Sequence, residues 1–334
     1  MTEKSGIAVA GKLIFDYVIS DTGQVTSRLM GGNGTFAAIS AATGGHSVSL
    51  LSCQGDGYPS EWLKQLKDAS VDCNHLIKLS RPHNFFSVLI YQADGSRRAP
   101  TEEDCVRIQA LKEYITDNRG WKDAMEDLQQ FTFFPDPYQF EEAFIQELDS
   151  ILICTAKAVQ QKEWVQRLKT VNPNLFIIMD GPVEGGRNAI PQGFTDILRY
   201  VDCFLPSEVE VKALFPDAPL TEAIERLCSF GPKYVAIKQG ARGSLLYEKD
   251  TGRLFEVPIF PVKPVDPTGA GDTFCGGVLA GWADKKDICE AVINGNALAS
   301  VAVSSCGADQ LFQGIKETEL NTRRKYIRQR IKRL

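Results

Sequence analysis

Short apolar runs alternate with amphipathic segments along most of this chain, and that alternation limits the possible fold more than any other feature. GIAVAG (6–11), SVSLLS (47–52), SILICT (150–155), LFIIMD (175–180), DCFLP (202–206) and YVAIK (234–238) read as buried strands. Between several of them, TFAAISAATGG (35–45), PSEWLKQLKDA (59–69), VQQKEWVQRLKT (159–170), SEVEVKALF (207–215) and TEAIERLCSF (221–230) have the spacing of amphipathic helices. Repeated βαβ units imply an α/β fold with a mostly parallel sheet covered by helices on both faces. Ligands of such sheets sit beyond the carboxyl ends of the strands.

Two stretches break the rhythm. KLIFDYVISDTGQVTSRLM (12–30) and HNFFSVLIYQADGSRRA (83–99) are rich in β-branched and aromatic residues around the turn signals DTG and ADG, and are expected to form a small second sheet, a flap over the main body. Residues 101–149 carry 13 acidic against 4 basic side chains and read as helices and loops on a solvated surface. No repeat or low-complexity linker divides the chain, so residues 1–334 are expected to form one domain plus this lid.

The 43% hydrophobic and 24% charged residues are ordinary for a globular chain. Neither a signal peptide nor a membrane span is expected, and the nine cysteines are scattered without a CxxC spacing, which argues for a reduced cytoplasmic protein without zinc. Net charge is −5, yet NTRRKYIRQRIKRL (321–334) holds seven basic residues and no acidic one, leaving −12 for the rest. Ile327, Ile331 and Leu334 fall on one helical face, so this end reads as a last helix docked on an acidic body. An acidic bulk surface disfavours nucleic acid as a partner.

The chemistry concentrates in VDPTGAGDTFCGG (265–277), where a glycine-rich turn runs into a helix. Bare backbone N–H groups at a helix N-terminus attract anions, phosphate above all. A carboxylate beside phosphate would repel it, so Asp272 makes sense as a base that deprotonates an attacking hydroxyl. Read alone, Asp272 is equally well explained as a helix cap.

The longer pattern D-x-T-G-A-G-D-x-F-x-x-G, carried by Asp266, Thr268, Gly269, Ala270, Gly271, Asp272, Phe274 and Gly277, resembles the C-terminal signature of the ribokinase family of carbohydrate kinases, the phosphofructokinase B type. The resemblance extends to G-x(4)-D from Gly11 to Asp16, MGGNGTFAAISAATGG, CQGDG and K-Q-G-A-R-G. It implies a ribokinase-like three-layer α/β/α sandwich with a small β lid, and an ATP-dependent kinase acting on a sugar or sugar-like polyol. A nucleoside kinase of the same family and a non-catalytic scaffold relative are the alternatives.

Residue by residue, the resemblance makes Asp272 the base and the amides of Gly269, Ala270 and Gly271 the anion hole. Asp16, Gly32, Asn33 and Arg97 would serve the acceptor, although Asp16 and Asn33 also suit a turn and a helix cap, and Arg97 with Arg98 an exposed turn. Asp180 would either face the site or cap a loop. Ser207, Glu210, Lys238, Gly240, Gly243 and Asn296 fall on the nucleotide side, with Mg2+ assisted by Glu210. Asp266 and Thr268, with SSCGA (304–308) nearby, match positions for K+. This chain departs from the family in having Ser207 where N-x-x-E has asparagine, and Phe36 where ribokinases carry asparagine. The flap aromatics Phe85, Phe86 and Tyr91 are expected to offer stacking surfaces, and the exposed face of the flap a homodimer contact.

Overall fold

The computed structural model describes residues 6–20, 22–83, 85–92, 97–98, 100–108, 133–184, 187–188, 191, 193–304 and 307–334. The strand Gly6–Ala10 lies between Val48–Leu51 and Leu148–Ile153, parallel to both. From there the sheet extends outward to Val71–Asp72 on one side and through Phe176–Asp180, Cys203–Leu205 and Tyr234–Lys238 on the other, all parallel. These segments are short and apolar because both of their faces are buried: Ile151, Leu152, Ile177, Ile178, Phe204 and Val235 are wholly inaccessible.

The far edge is antiparallel. Ser244–Glu248 and Arg253–Val257 form a hairpin on Tyr234–Lys238, and Lys332–Arg333 adds a last short strand. That strand corrects the expectation for the C-terminus. The final helix, Glu317–Arg328, buries Ile327, but it stops before Ile331; Leu334 is exposed and donates its N–H to Leu254 O at 2.9 Å. Pairing with an open sheet edge satisfies the backbone groups that a longer helix would have bonded internally, and it overrides the helical spacing of the apolar residues.

Three helices meet under the glycine-rich motif. Asn33–Ala42 and Ile288–Ala302 flank Ala270–Lys285 closely enough that a Cβ on Gly276 would lie 2.1 Å from Ala37 O, and one on Gly277 2.9 Å from the Gly295 Cα. The glycines are therefore contact surfaces within that helix, and their helix-propensity cost is offset by packing.

The small sheet has the order Val25–Gly31, Ile14–Ile19, Phe86–Tyr91, Arg97–Arg98. It is anchored to the body by Phe15, whose ring stacks on Tyr58 at 5.7 Å with the Arg28 guanidinium 3.8 Å above it. Tyr17, Val18, Ile19 and Ile90 are buried within the single chain, in company with Cys105 and Ile108. Among the described residues, no large exposed apolar side chain belongs to these strands. Arg98 is also committed locally: it makes two hydrogen bonds, of 2.6 and 2.8 Å, to the Asp104 carboxylate, whose pKa that contact lowers.

Residues 109–132 of the acidic segment lie outside the described residues, as do Ser305 and Cys306 and the side chains of Tyr91 and Arg97. Among the described residues, no helix is long and apolar enough to cross a membrane. Among the described residues, eight cysteines are free thiols, seven of them buried.

Candidate active site

A cleft of about 820 Å³ opens at the carboxyl ends of the parallel strands. Strand ends supply Thr155, Asp180, Ser207 and Lys238, the lid supplies Ile14, Asp16, Ser87 and Leu89, and the start of the helix Ala270–Lys285 supplies the floor. Gly269, Ala270, Gly271 and Asp272 are thus brought together with Asp16, Gly32, Asn33, Glu210, Gly240 and Thr268 on one lining.

Gly269 occupies the capping position of that helix with φ 72° and brings no side chain to cap it. A Cβ here would enter the left-handed region and come within 2.4 Å of the Phe36 ring. Phe36 therefore acts as a buried prop beneath the glycine-rich turn. Asp272 sits in the first helical turn, past the capping position, and reaches the cleft.

The end of the cleft beside the lid is held by the crossing of two backbone segments. Gly32, at φ 98°, lies so close to the preceding strand end that a Cβ would stand 2.3 Å from Lys12 O. The Asn33 amide locks the crossing, with Oδ1 accepting the Lys12 N–H at 2.8 Å and Nδ2 donating to Thr155 O at 2.7 Å. Asn33 is thus engaged with the backbone, where the sequence had suggested an acceptor contact. Asp16 is 6% exposed at a register shift in its strand, a bulge that turns the side chain toward the cleft, and Gly31 leaves the space its carboxylate fills.

Across the cleft, Ser207 and Glu210 form a reciprocal capping box: Ser207 N–H donates to Glu210 Oε2 at 2.7 Å, and Glu210 N–H to Ser207 Oγ at 3.3 Å. Burial pushes the Glu210 carboxyl up to about 7; Lys238 opposes the shift and Asp180 adds to it. Lys238 forms an ion pair with Asp180. Burial disfavours its charge, but Asp180, Cys275 and Glu210 outweigh that and hold the ammonium above its ordinary range. A second, more apolar pocket of about 490 Å³ adjoins, lined by Gly243, Ile259, Phe260, Phe274 and Asn296. Asn296 Nδ2 bonds Ser244 Oγ and Val257 O, both at 3.0 Å, and so ties this wall to the edge hairpin.

Asp266 lies beneath the cleft. Its Oδ1 accepts the Thr268 N–H at 2.8 Å and its Oδ2 the Gly307 N–H at 3.2 Å, joining the loops on either side of the motif. Phe85 and Phe86 do not line the cleft. Ser87 and Leu89 face it, so the alternation of the strand sends Phe86 to the other side, against Tyr17 at 6.1 Å, while Phe85 packs on Cys53 and Phe133.

Lys12 and Thr155 are polar cleft residues that were not singled out from the sequence. Thr155 Oγ1 donates to Asp180 Oδ2 at 3.1 Å. Burial pushes the Lys12 ammonium down to about 8, against the attraction of Asp272. A lysine closing an otherwise apolar strand at GIAVAGK was the available signal.

The raised pKa of Glu210 fixes the sign of a pH effect. The folded chain keeps a proton that the unfolded chain, at the ordinary value of 4.5, gives up. Stability is therefore expected to fall as pH rises from about 4.5 to about 7 and to level off above. Glu210→Gln, which preserves the capping box, is expected to flatten that fall when Tm is followed against pH.

The sequence profile of the pfkB family carbohydrate kinases matches residues 128–313, more than half of the chain. The chain belongs to this family. It is similar to the cytidine kinase of Thermococcus kodakarensis, 26% identical over 294 residues, which cover 86% of this chain and 91% of that one. It is also similar to the ribokinase of Haemophilus influenzae, 23% identical over 328 residues, or 93% of this chain and 96% of that one. An E. coli ribokinase II solved with ATP and Mg2+ superposes with a TM-score of 0.69 at 21% identity, covering 96% of this chain and 99% of that one. As a member of the pfkB family, the chain is an ATP-dependent kinase with a sugar-like acceptor.

Proposed function

We propose that ATP lays its adenine end in the apolar pocket beside Gly243 and Asn296 and its terminal phosphate on the Gly269 to Asp272 amides, while the acceptor hydroxyl meets Asp272 under the lid. The observation that carries this reading is the position of Asp272, in the first turn of a helix that a glycine caps, on a cleft shared with the lid. Asp272 takes the hydroxyl proton, the freed oxygen attacks the γ-phosphorus in line, and ADP leaves with the electron pair of the broken P–O bond. The amides of Gly269, Ala270 and Gly271 meet the charge gathering on the transferred group. Asp16 accepts hydroxyls of the acceptor, and lid closure excludes water.

The buried carboxylates of Glu210 and Asp180 suit a hard divalent cation, and Mg2+ bound there with ATP would neutralise phosphate charge. Potassium is proposed beside the loop that Asp266 ties to Gly307, where Thr268 and loop carbonyls offer oxygen donors. The free buried thiols fit a reducing, cytoplasmic setting.

A sugar or polyol is the proposed acceptor, with Asp16, Ser87 and Asp272 on the lining to meet several hydroxyls. A nucleoside acceptor is the second reading, favoured by the similarity to a cytidine kinase over most of both chains. Coupled ADP release over a panel of sugars, polyols and nucleosides is expected to show turnover on one class that needs both ATP and a divalent ion. Turnover confined to nucleosides would replace the first reading with the second. Silence across the panel, with ATP binding intact, would overturn both.

A further inference from the structure

We propose that Lys12 is a positioning residue for phosphoryl transfer: its ammonium shares the acceptor end of the cleft with Asp272, keeps that carboxylate ionised and holds it toward the acceptor hydroxyl. The inference rests on the assignment of Asp272 as the base.

The backbone of Lys12 is fixed more firmly than a strand end requires. Its N–H donates to Asn33 Oδ1 at 2.8 Å, and its carbonyl accepts the Gly34 N–H at 3.0 Å. A Cβ on Gly32 or Gly34 would strike this backbone, at 2.3 Å from Lys12 O and 2.9 Å from Lys12 N. The di-glycine helix entry and the first strand are thus clasped around one residue. That clasp aims the side chain into the cleft, where it is only 6% exposed beside Asp16 and Asp272.

A lysine is rarely so buried without a charge to meet. Asp272, from the helix Ala270–Lys285, and Cys154, from the end of Leu148–Ile153, act on it electrostatically. Burial holds the Cys154 thiol well above its ordinary value, so it is neutral at working pH. Asp180 is paired with Lys238, and Asp16 faces from the lid. With Cys154 neutral and Asp180 paired, Asp272 is the charged group whose attraction supports the Lys12 ammonium. A cation within a few ångströms favours the ionised form of a carboxylate. When the acceptor O–H bond breaks, the proton moves to Asp272 while the new O–P bond forms and ADP departs. Lys12 stays protonated throughout, and its charge offsets the negative charge converging on the site. Titration of its ammonium near 8 would then remove that support in alkaline solution.

The test compares Lys12→Met, Lys12→Arg and Asp272→Asn in the full chain. With an acceptor identified, Lys12→Met is expected to lower kcat by about 10- to 100-fold with little change in KM for ATP, and to abolish the alkaline fall of kcat near pH 8. Lys12→Arg is expected to retain kcat to within about fivefold and to move the alkaline fall to higher pH. Equal losses in the two folded variants, or a wild-type pH profile in Lys12→Met, would overturn the proposal. Carbon-13 NMR of labelled lysines in the resting protein reads the same pairing without turnover. The Lys12 resonance is expected to titrate near 8 in the wild type and lower in Asp272→Asn; identical titrations would overturn it. Should the wild type phosphorylate nothing, the kinase reading fails on that assay, while the NMR titration still decides the pairing.

Discussion

Replacing Asp272 with asparagine is expected to lower kcat by about 10²- to 10⁴-fold while leaving ATP affinity within about twofold. The amide matches the carboxylate in shape and can hold the same place in the first turn of Ala270–Lys285, so the anion-hole turn shaped by Gly269 and Phe36 should persist. What disappears is the proton acceptor. Backbone N–H groups and the helix dipole still bind phosphate, and an uncharged side chain there removes a repulsion, so nucleotide binding has no reason to weaken. Steady-state kinetics with calorimetric titration of a nonhydrolysable ATP analogue separates the two effects. Turnover near that of the wild type would end the assignment of Asp272 as base; an equal loss of nucleotide affinity would make it a structural residue of the turn.

The central strands were legible because burial on both faces writes them as unbroken apolar runs, as in LFIIMD and YVAIK. The glycine-rich signature was legible because chain geometry demands it: Gly269 must adopt a positive φ against Phe36. Other features depend on tertiary pairing that no local pattern announces. The apolar spacing of Ile327, Ile331 and Leu334 fits a helix, yet the chain leaves it to pair Lys332–Arg333 with the edge strand Arg253–Val257. Side-chain amides were the hardest to assign. Asn33 and Asn296 line the pockets, and each also ties neighbouring segments together, a structural role that the sequence does not show for Asn296. Lys12 escaped notice for the opposite reason: a lone lysine is exposed by default, and only the crossing of the di-glycine segment over its backbone buries it.

Lys238→Met is expected to destabilise the fold by about 3–5 kcal/mol, the cost of stranding a buried charge when its partner is removed. Lys238 is the cation that meets Asp180, and Glu210 lies close enough for its own ionisation to be opposed by the same ammonium. Asp180 has other support, the Gly181 N–H at 2.7 Å on Oδ1 and the Thr155 hydroxyl at 3.1 Å on Oδ2, but hydrogen bonds do not cancel a charge that is 3% exposed. The loss should therefore be largest above pH 7, where Glu210 is ionised as well, and should shrink as falling pH protonates Glu210. Pairing the substitution with Asp180→Asn supplies the decisive comparison. If the ion pair governs stability, the double variant will be more stable than Lys238→Met alone, because the second change removes the stranded charge. If the aliphatic stem of Lys238 matters more than its charge, methionine will replace it at little cost and the double variant will gain nothing. Urea denaturation of the three variants at pH 6 and pH 8 distinguishes these cases, and it does so without reference to the acceptor the enzyme uses.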